Sequence, residues 1–177
     1  MVEIKPEPLP PMCGQTLLPV VVRKADRNDV AAALELEKAC FTPSVRLKKR
    51  QLQYLQQRRS AIFLVAEQGE AVVGEGVALV RQHKQGKSGR IYSLAVRPEA
   101  RGQKVGQRLL EAMVEALADR GVSRVYLEVK AENAGAIRLY ERAGFKPIGA
   151  LPDYYGSGED GIHMMRVTTM IAVGTHA

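Results

Sequence analysis

Two apolar runs, AIFLVAE from Ala61 and AVVGEGVALV from Ala71, are separated only by Gln68-Gly69-Glu70. A polar link that short cannot hold a crossover helix, so the runs must pair antiparallel as a hairpin. A doubly wound dinucleotide fold needs strict strand–helix alternation from the start, and a chain with this hairpin does not have it. Everything else in the sequence has to be arranged around that hairpin.

Upstream, VVVRKAD reads as a strand. It is followed by a helix over Arg27–Cys40, with Asp26 placed to cap it and Val30, Leu34, Glu37 and Phe41 marking its spacing. Pro43 ends that helix, and RLKKRQLQYLQQRR, with Leu47, Leu52 and Leu55, predicts a weakly amphipathic second one. Downstream, RQHKQGKSGR holds no apolar residue and predicts an exposed loop, and IYSLAV is a short strand halted by Arg97-Pro98. Val105, Leu109, Ala112, Met113, Ala116 and Leu117 recur at the helical period, with Gly121 placed to end the helix. SRVYLEV, a helix opened by Asn133 and closed by Gly144, and the runs FKPIGA and GIHMMRVTTM complete the chain. The predicted order is β-α-α-β-β-β-α-β-α-β-β. It describes an α/β (α+β) fold whose mixed, mostly antiparallel sheet is flanked by helices.

Composition sets the remaining bounds. With 177 residues, 46% hydrophobic and 25% charged, the chain is an ordinary globular one able to bury a single core. Five of its nine prolines precede Val20, so residues 1–18 are predicted to be a flexible proline-rich tail and residues 19–177 one domain. No apolar run approaches the roughly 20 residues that cross a bilayer, and the N-terminus lacks the basic and apolar segments of a signal peptide. Cys13 and Cys40 make no disulfide framework, and no Cys/His spacing suits zinc. The expectation is a cytoplasmic protein with two reduced thiols, no membrane partner and no metal.

The net charge of +7 is local. Lys38, Arg46, Lys48, Lys49, Arg50, Arg58 and Arg59 fall in a stretch, residues 38–66, that has no acidic residue, and the remaining charges cancel. Such a patch suits an anionic partner, or is simply a solvated helix face. No aromatic–basic alternation of the kind used by single-strand binders is present, so sequence-specific nucleic-acid binding is not expected.

Arg101-Gly102-Gln103-Lys104-Val105-Gly106-Gln107 leads from the strand ending at Val96 into the periodic helix. The first N–H groups of a helix lack internal partners and lie at the positive end of its dipole, so a glycine-bearing turn there can cradle phosphate. It can equally be a turn that only starts a helix. The spacing matches neither the Walker loop nor G-x-G-x-x-G.

The segment resembles the acyl-CoA loop, [QR]-x-x-G-x-[GA], of the GNAT superfamily of N-acetyltransferases. Arg101 fills the first place and Gly106 the last, while Lys104 stands where the family has its inner glycine. If that place needs a positive φ, lysine there costs on the order of 1–2 kcal/mol. The later LEVKAENAGAIRLYERAGF is more specific. Asn133, Ala136, Leu139, Tyr140, Gly144 and Phe145 fill N-x-x-A-x-x-L-Y-x-x-x-G-F, as in the ribosomal-protein-alanine N-acetyltransferase branch, and PDYYGSGEDGIHMM is similar to that branch too.

The resemblance implies acetyl-CoA as co-substrate and a sheet whose central strands splay to hold it. Leu94, Ala95 and Val96, with Arg101 through Gln107, Asn133 and Tyr140, would bind it. Glu128 would act as base and Tyr140 as acid toward the leaving thiolate. Read without the family, Asn133 is a helix cap, Tyr140 a core aromatic and Glu128 one half of a salt bridge. Arg46, Tyr154 and Tyr155 would touch the acceptor, although the tyrosines also suit a core. The acceptor is then an amine: a protein N-terminus, such as that of a ribosomal protein, or a small amine such as a polyamine, an aminoglycoside or an amino acid. A silent acyl-CoA-binding module is a third alternative, and either a monomer or a homodimer is compatible.

Overall fold

The computed structural model describes residues 18–168, so most of the proline-rich segment, Cys13 and the last residues lie outside the described part. The strands are β1 (Val20–Lys24), β2 (Ala61–Gln68), β3 (Ala71–His83), β4 (Gly86–Val96), β5 (Val122–Lys130), β6 (Lys146–Gly156) and β7 (Glu159–Val167). The helices are α1 (Asp29–Cys40), α2 (Lys49–Gln57), α3 (Val105–Ala118) and α4 (Ala134–Arg142). This is the order the sequence predicts. The seven strands form one sheet in the order β1-β2-β3-β4-β5-β7-β6, antiparallel throughout except for the β4–β5 pair.

Helix α3 lies close on β3 and β4 because glycines leave room for it. A Cβ on Gly76 would meet Met113 at 2.8 Å, and one on Gly89 would meet Leu117 at 2.9 Å. Leu110, Met113, Leu117, Val125, Leu127 and Phe145 form the core on that side, and all are buried. On the opposite face α1, α2 and the loop between them pack Val30, Ala33, Leu47, Leu52 and Leu55 against Phe63, Val65 and Val77. Arg23 of β1 fastens one end of α1 by holding both carboxylate oxygens of Asp29 at 2.7 and 2.9 Å, and it also pairs with Glu67 of β2. The Asp29 carboxyl is held below its ordinary range, chiefly by that Arg23 hydrogen bond.

Three local expectations need correction. Asp26 does not cap α1: its Oδ1 accepts the Asn28 N–H at 2.6 Å in the preceding turn, and the helix starts at Asp29 behind Asn28. The second helix starts at Lys49, because the Gln51 side chain turns back to accept the Lys48 N–H at 2.8 Å. RQHKQGKSGR is largely strand. β3 and β4 continue as a ladder through Arg81–Ser88, Gln82–Lys87 and His83–Gly86. That ladder runs past the core, so its side chains are polar and nothing in their hydropathy reveals the pairing.

Candidate active site

The site begins where β4 and β5 separate. Their paired residues run from Lys87–Val122 to Arg90–Tyr126 and stop there. Beyond that point Ser93–Val96 stays with β3, while Leu127–Lys130 stays with β7. A register shift between Val77–Ser93 and Ala78–Ile91 leaves Tyr92 as a bulge, which bends β4 at the fork. The splayed central strands expected from the sequence are thus present. They open a cavity of about 570 Å³ lined by, among others, Leu94, Glu128, Asn133, Tyr140, Tyr154 and Tyr155.

Of the predicted groups, the chain brings Leu94, Glu128, Asn133, Tyr140, Tyr154 and Tyr155 to this one cavity. Glu128 is 15% exposed, and its Oε2 accepts from Arg90 Nε at 2.8 Å and Nη2 at 2.7 Å. Its Oε1 lies 4.0 Å from Nε2 of His163 on β7 and carries no shorter ion pair. Burial opposes the Arg90 charge, but the adjacent Glu128 carboxylate outweighs it and holds the guanidinium more firmly protonated than usual. Asn133 caps α4, its Oδ1 accepting the Ala136 N–H at 3.0 Å, so the capping role read from sequence is real. Tyr140 packs edge-on against Phe145, and burial pushes its hydroxyl well above the usual phenol range. No protein partner is found for that hydroxyl among the described residues.

Tyr154 and Tyr155 sit where β6 bulges away from β7, between Leu151 and Gly156. Their rings meet edge-to-face at 5.0 Å. Tyr154 takes an Arg90 N–H at 3.2 Å, and Tyr155 lies under the Lys130 ammonium. Burial, then the neighbouring Tyr154, pushes the Tyr155 hydroxyl up to about 12. Arg46 is not in this cavity. It lines an adjoining one of about 560 Å³ with Pro43, Ser44, Lys48 and Gln51, and the two cavities share Val45, Leu47 and Tyr92.

The glycine-bearing loop lies at the other end of the fork. Gly102 has φ 79° and Lys104 has φ 61° with ψ 14°, whereas Gln103 between them is not left-handed. Alternating handedness turns successive N–H groups to one side, as in an anion-binding nest, and Lys104 is also the N-cap of α3. The Gln103 amide bonds Gln68 at 2.8 Å and the Glu99 carbonyl at 3.2 Å, which braces the turn on the β2–β3 hairpin. Val105 and Ala95 are buried, so they can offer a ligand only their backbone. Arg101 is exposed, and Gln107 bonds Glu111 along the helix. A Cβ on Gly106 would lie 3.4 Å from Leu139 and 3.5 Å from Val96. Gly106 therefore stands at the seam where α3, α4 and the end of β4 meet, which links the loop to the cavity holding Tyr140.

The stretch of chain that builds this fork also matches a known family. The model of the acetyltransferase (GNAT) family fits residues 30–145. The chain belongs to that family. It is an N-acetyltransferase of the acyltransferase class. An N-alpha-acetyltransferase of Sulfurisphaera tokodaii is 32% identical over 117 residues, 62% of this chain and 70% of its own length. A Bacillus subtilis protein provisionally named as a ribosomal protein bS18 alanine N-acetyltransferase is 32% identical over 145 residues, covering 81% and 92%. The fold is shared with Arabidopsis thaliana NAA60 solved in complex with acetyl-CoA, at TM-score 0.74 and 20% identity, covering 84% of this chain and 98% of that one.

Sequence reading missed Arg90, Tyr92 and His163 at the site, and also a buried trio of Glu37, Glu75 and Ser93 on the α1 side. One signal was present. Glu75 lies in the middle of the apolar run AVVGEGVALV, where a carboxylate needs a partner to be buried.

Proposed function

We propose that this GNAT enzyme transfers the acetyl group of acetyl-CoA to the α-amine of a protein N-terminus. The observation that carries this reading is the groove made by the two confluent cavities. A small amine needs only the space at the fork. A chain terminus can place its amine at Glu128 and run on past Tyr92 and Val45 toward Arg46 and Lys48. The exposed Lys48, Lys49 and Arg50 there favour acidic residues downstream in the acceptor, or a nucleic-acid surface such as the ribosome close by. The two relatives named above, one an N-alpha-acetyltransferase and the other provisionally acting on a ribosomal protein alanine, support the same acceptor class.

The residues present fit the cofactor. The nest at Gly102–Lys104 offers N–H groups to the pyrophosphate, and the fork admits the pantetheine arm between β4 and β5, with the free side-chain N–H groups of Asn133 beside it. Acetyl-CoA supplies the activated thioester. The attacking amine must be neutral, and an α-amine with a pKa of about 8 meets that condition far more readily than lysine at about 10.4. Glu128 takes its proton through Oε1, directly or by way of one water, while Arg90 holds Oε2 and fixes the carboxylate. Backbone N–H groups on the unpaired side of Leu94–Val96 receive the oxyanion. Tyr140 donates its O–H to the departing sulfur. Because burial strengthens its hold on that proton, the phenol acts first as a hydrogen-bond donor, and full transfer follows only as thiolate charge builds.

The test is an acceptor panel with purified protein: alanine-initiated peptides, their Nα-blocked forms, polyamines, aminoglycosides and free amino acids. Transfer to free peptides and not to blocked ones is expected, with Tyr140→Phe and Glu128→Gln each lowering kcat by about 10²-fold or more. A higher kcat/KM for a polyamine or an aminoglycoside than for every peptide would overturn the acceptor reading.

A further inference from the structure

Glu37 of α1 and Ser93 of β4, which line the main cavity, meet Glu75 of β3 behind it. Glu37 and Glu75 are 1% and 0% exposed, and Ser93 is 8%. Ser93 Oγ lies 2.6 Å from Glu37 Oε1 and 2.9 Å from Glu75 Oε1. The hydroxyl has one hydrogen and can donate to only one of the two carboxyl groups. Were both groups ionised, one of these contacts would set two lone pairs against each other with no hydrogen between.

A single proton on Glu75 removes the conflict. Glu75, within hydrogen-bond reach of both Ser93 and Glu37, then donates, Ser93 donates to Glu37, and the other Glu37 oxygen accepts the Leu47 N–H at 2.7 Å. The remaining Glu75 oxygen is buried with no hydrogen-bond donor among the described residues, which costs a carbonyl less than it costs a charged oxygen. Complete burial, and then the Glu37 charge, hold the Glu75 proton well above the ordinary carboxylate value of 4.5.

The chain ends on the α1–α2 loop, whose Phe41, Thr42, Val45 and Leu47 line the main cavity. Within that loop the Val45 and Arg46 N–H groups are satisfied locally by the Thr42 carbonyl. Leu47 is the point where its backbone is tied, through Glu37 and Ser93, to the strand that carries Leu94. We propose that protonated Glu75 is a positioning residue for the acceptor: acting through Ser93 and Glu37, it sets the distance between the α1–α2 loop and β4, and so the shape of the acceptor wall. Its role as an acceptor wall rests on the reading of this cavity given above, whereas the tether itself does not.

Glu37 from α1 and Ser93 from β4 are the polar groups that face Glu75, and its cross-strand neighbour Val65 on β2 is apolar. Cys40, the other titratable group on this part of α1, bonds the Val96 carbonyl instead. Glu75→Gln keeps a donor toward Ser93 and Glu75→Leu removes it. Steady-state kinetics with the best amine from the panel should give Glu75→Leu an acceptor KM raised about tenfold, with the acetyl-CoA KM within about twofold. Glu75→Gln should restore the acceptor KM to within about threefold of the parent. The parent's acceptor KM should rise as alkali ionises Glu75, and Glu75→Gln should lack that rise. Amide exchange at Leu47, read without any substrate, should speed up in Glu75→Leu and not in Glu75→Gln. Equal behaviour of the two variants, parallel rises in both KM values, or identical pH profiles of parent and Glu75→Gln would overturn the role. Should Glu75→Leu fail to fold, the pH comparison and Leu47 exchange in Ser93→Ala decide it. Because the exchange experiment uses no acceptor, a wrong acceptor class and a wrong positioning role give different outcomes.

Discussion

Lys104 combines two physical effects that substitution can separate. Its φ of 61° is a conformation that costs an L-residue about 1–2 kcal/mol and glycine almost nothing. Lys104→Gly relieves that strain but frees the unfolded chain, which offsets about 0.4–1 kcal/mol of the gain. The net is a stabilisation of about 0.5 kcal/mol relative to Lys104→Ala, which keeps the strain, or roughly 1–2 °C in Tm for a domain of this size. The ammonium acts on the ligand. A unit charge about 4 Å from a phosphate contributes about 1 kcal/mol in water, a factor of about five in affinity.

Calorimetric titration with acetyl-CoA and thermal unfolding of both variants measure the two effects side by side. Lys104→Ala and Lys104→Gly should each bind about fivefold more weakly at low salt, and the deficit should shrink near 1 M salt, where the Debye length is about 3 Å. The reasoning fails if Lys104→Gly melts below Lys104→Ala, because the left-handed turn then carries no strain. It fails separately if both variants bind as the parent does, because the lysine then takes no part in holding phosphate.

Two further outcomes concern the scaffold. Gly89→Ala should destabilise by about 1–3 kcal/mol in denaturant titration, since the new Cβ would meet Leu117 at 2.9 Å and Val122 at 3.2 Å. Arg23→Gln should cost about 1–2 kcal/mol at neutral pH by releasing Asp29. The Asp29 carboxyl is depressed in the folded state, so its contribution is present above its ordinary value of 3.8 and is lost as pH falls through the folded value. The stability gap between Arg23→Gln and the parent should therefore close in acid, and a gap that stays constant however far the pH falls below 3.8 would place its origin elsewhere.

What the sequence made legible was local. The element order followed from apolar period and punctuation, because each strand and helix announces itself within its own dozen residues. The loop was readable for the same reason: Gly102, Lys104 and Gly106 lie within five positions, and a positive φ at Lys104 is a property of that turn alone. Asn133 as cap and Tyr140 two turns along α4 are also local facts. The extension of β3 and β4 beyond Val80 was not legible, because a solvated ladder leaves no hydropathy pattern to read. The same is true of every pairing made across the sheet. Glu128 stood out as a carboxylate in an apolar strand, but its partner Arg90 is 38 positions away. Glu37 falls on the spacing of the first helix with Val30 and Leu34, but nothing local names its partner Ser93, 56 positions on.

These distant pairings do not simply tie the sheet together. The ladder between β4 and β5 ends at Arg90, so the fork beyond it is held open without β4–β5 ladder pairing. Its two edges are then joined by side chains: Arg90 to Glu128 at the crotch, and Glu75 through Ser93 and Glu37 to Leu47 on the α1–α2 side. A sheet that gives up backbone bonds to make a cleft must restore its rigidity with such polar contacts, and burial makes them strongly directional. That explains why the carboxylates the sequence left unassigned, Glu37 and Glu75, occur beside the fork, where backbone pairing has been lost.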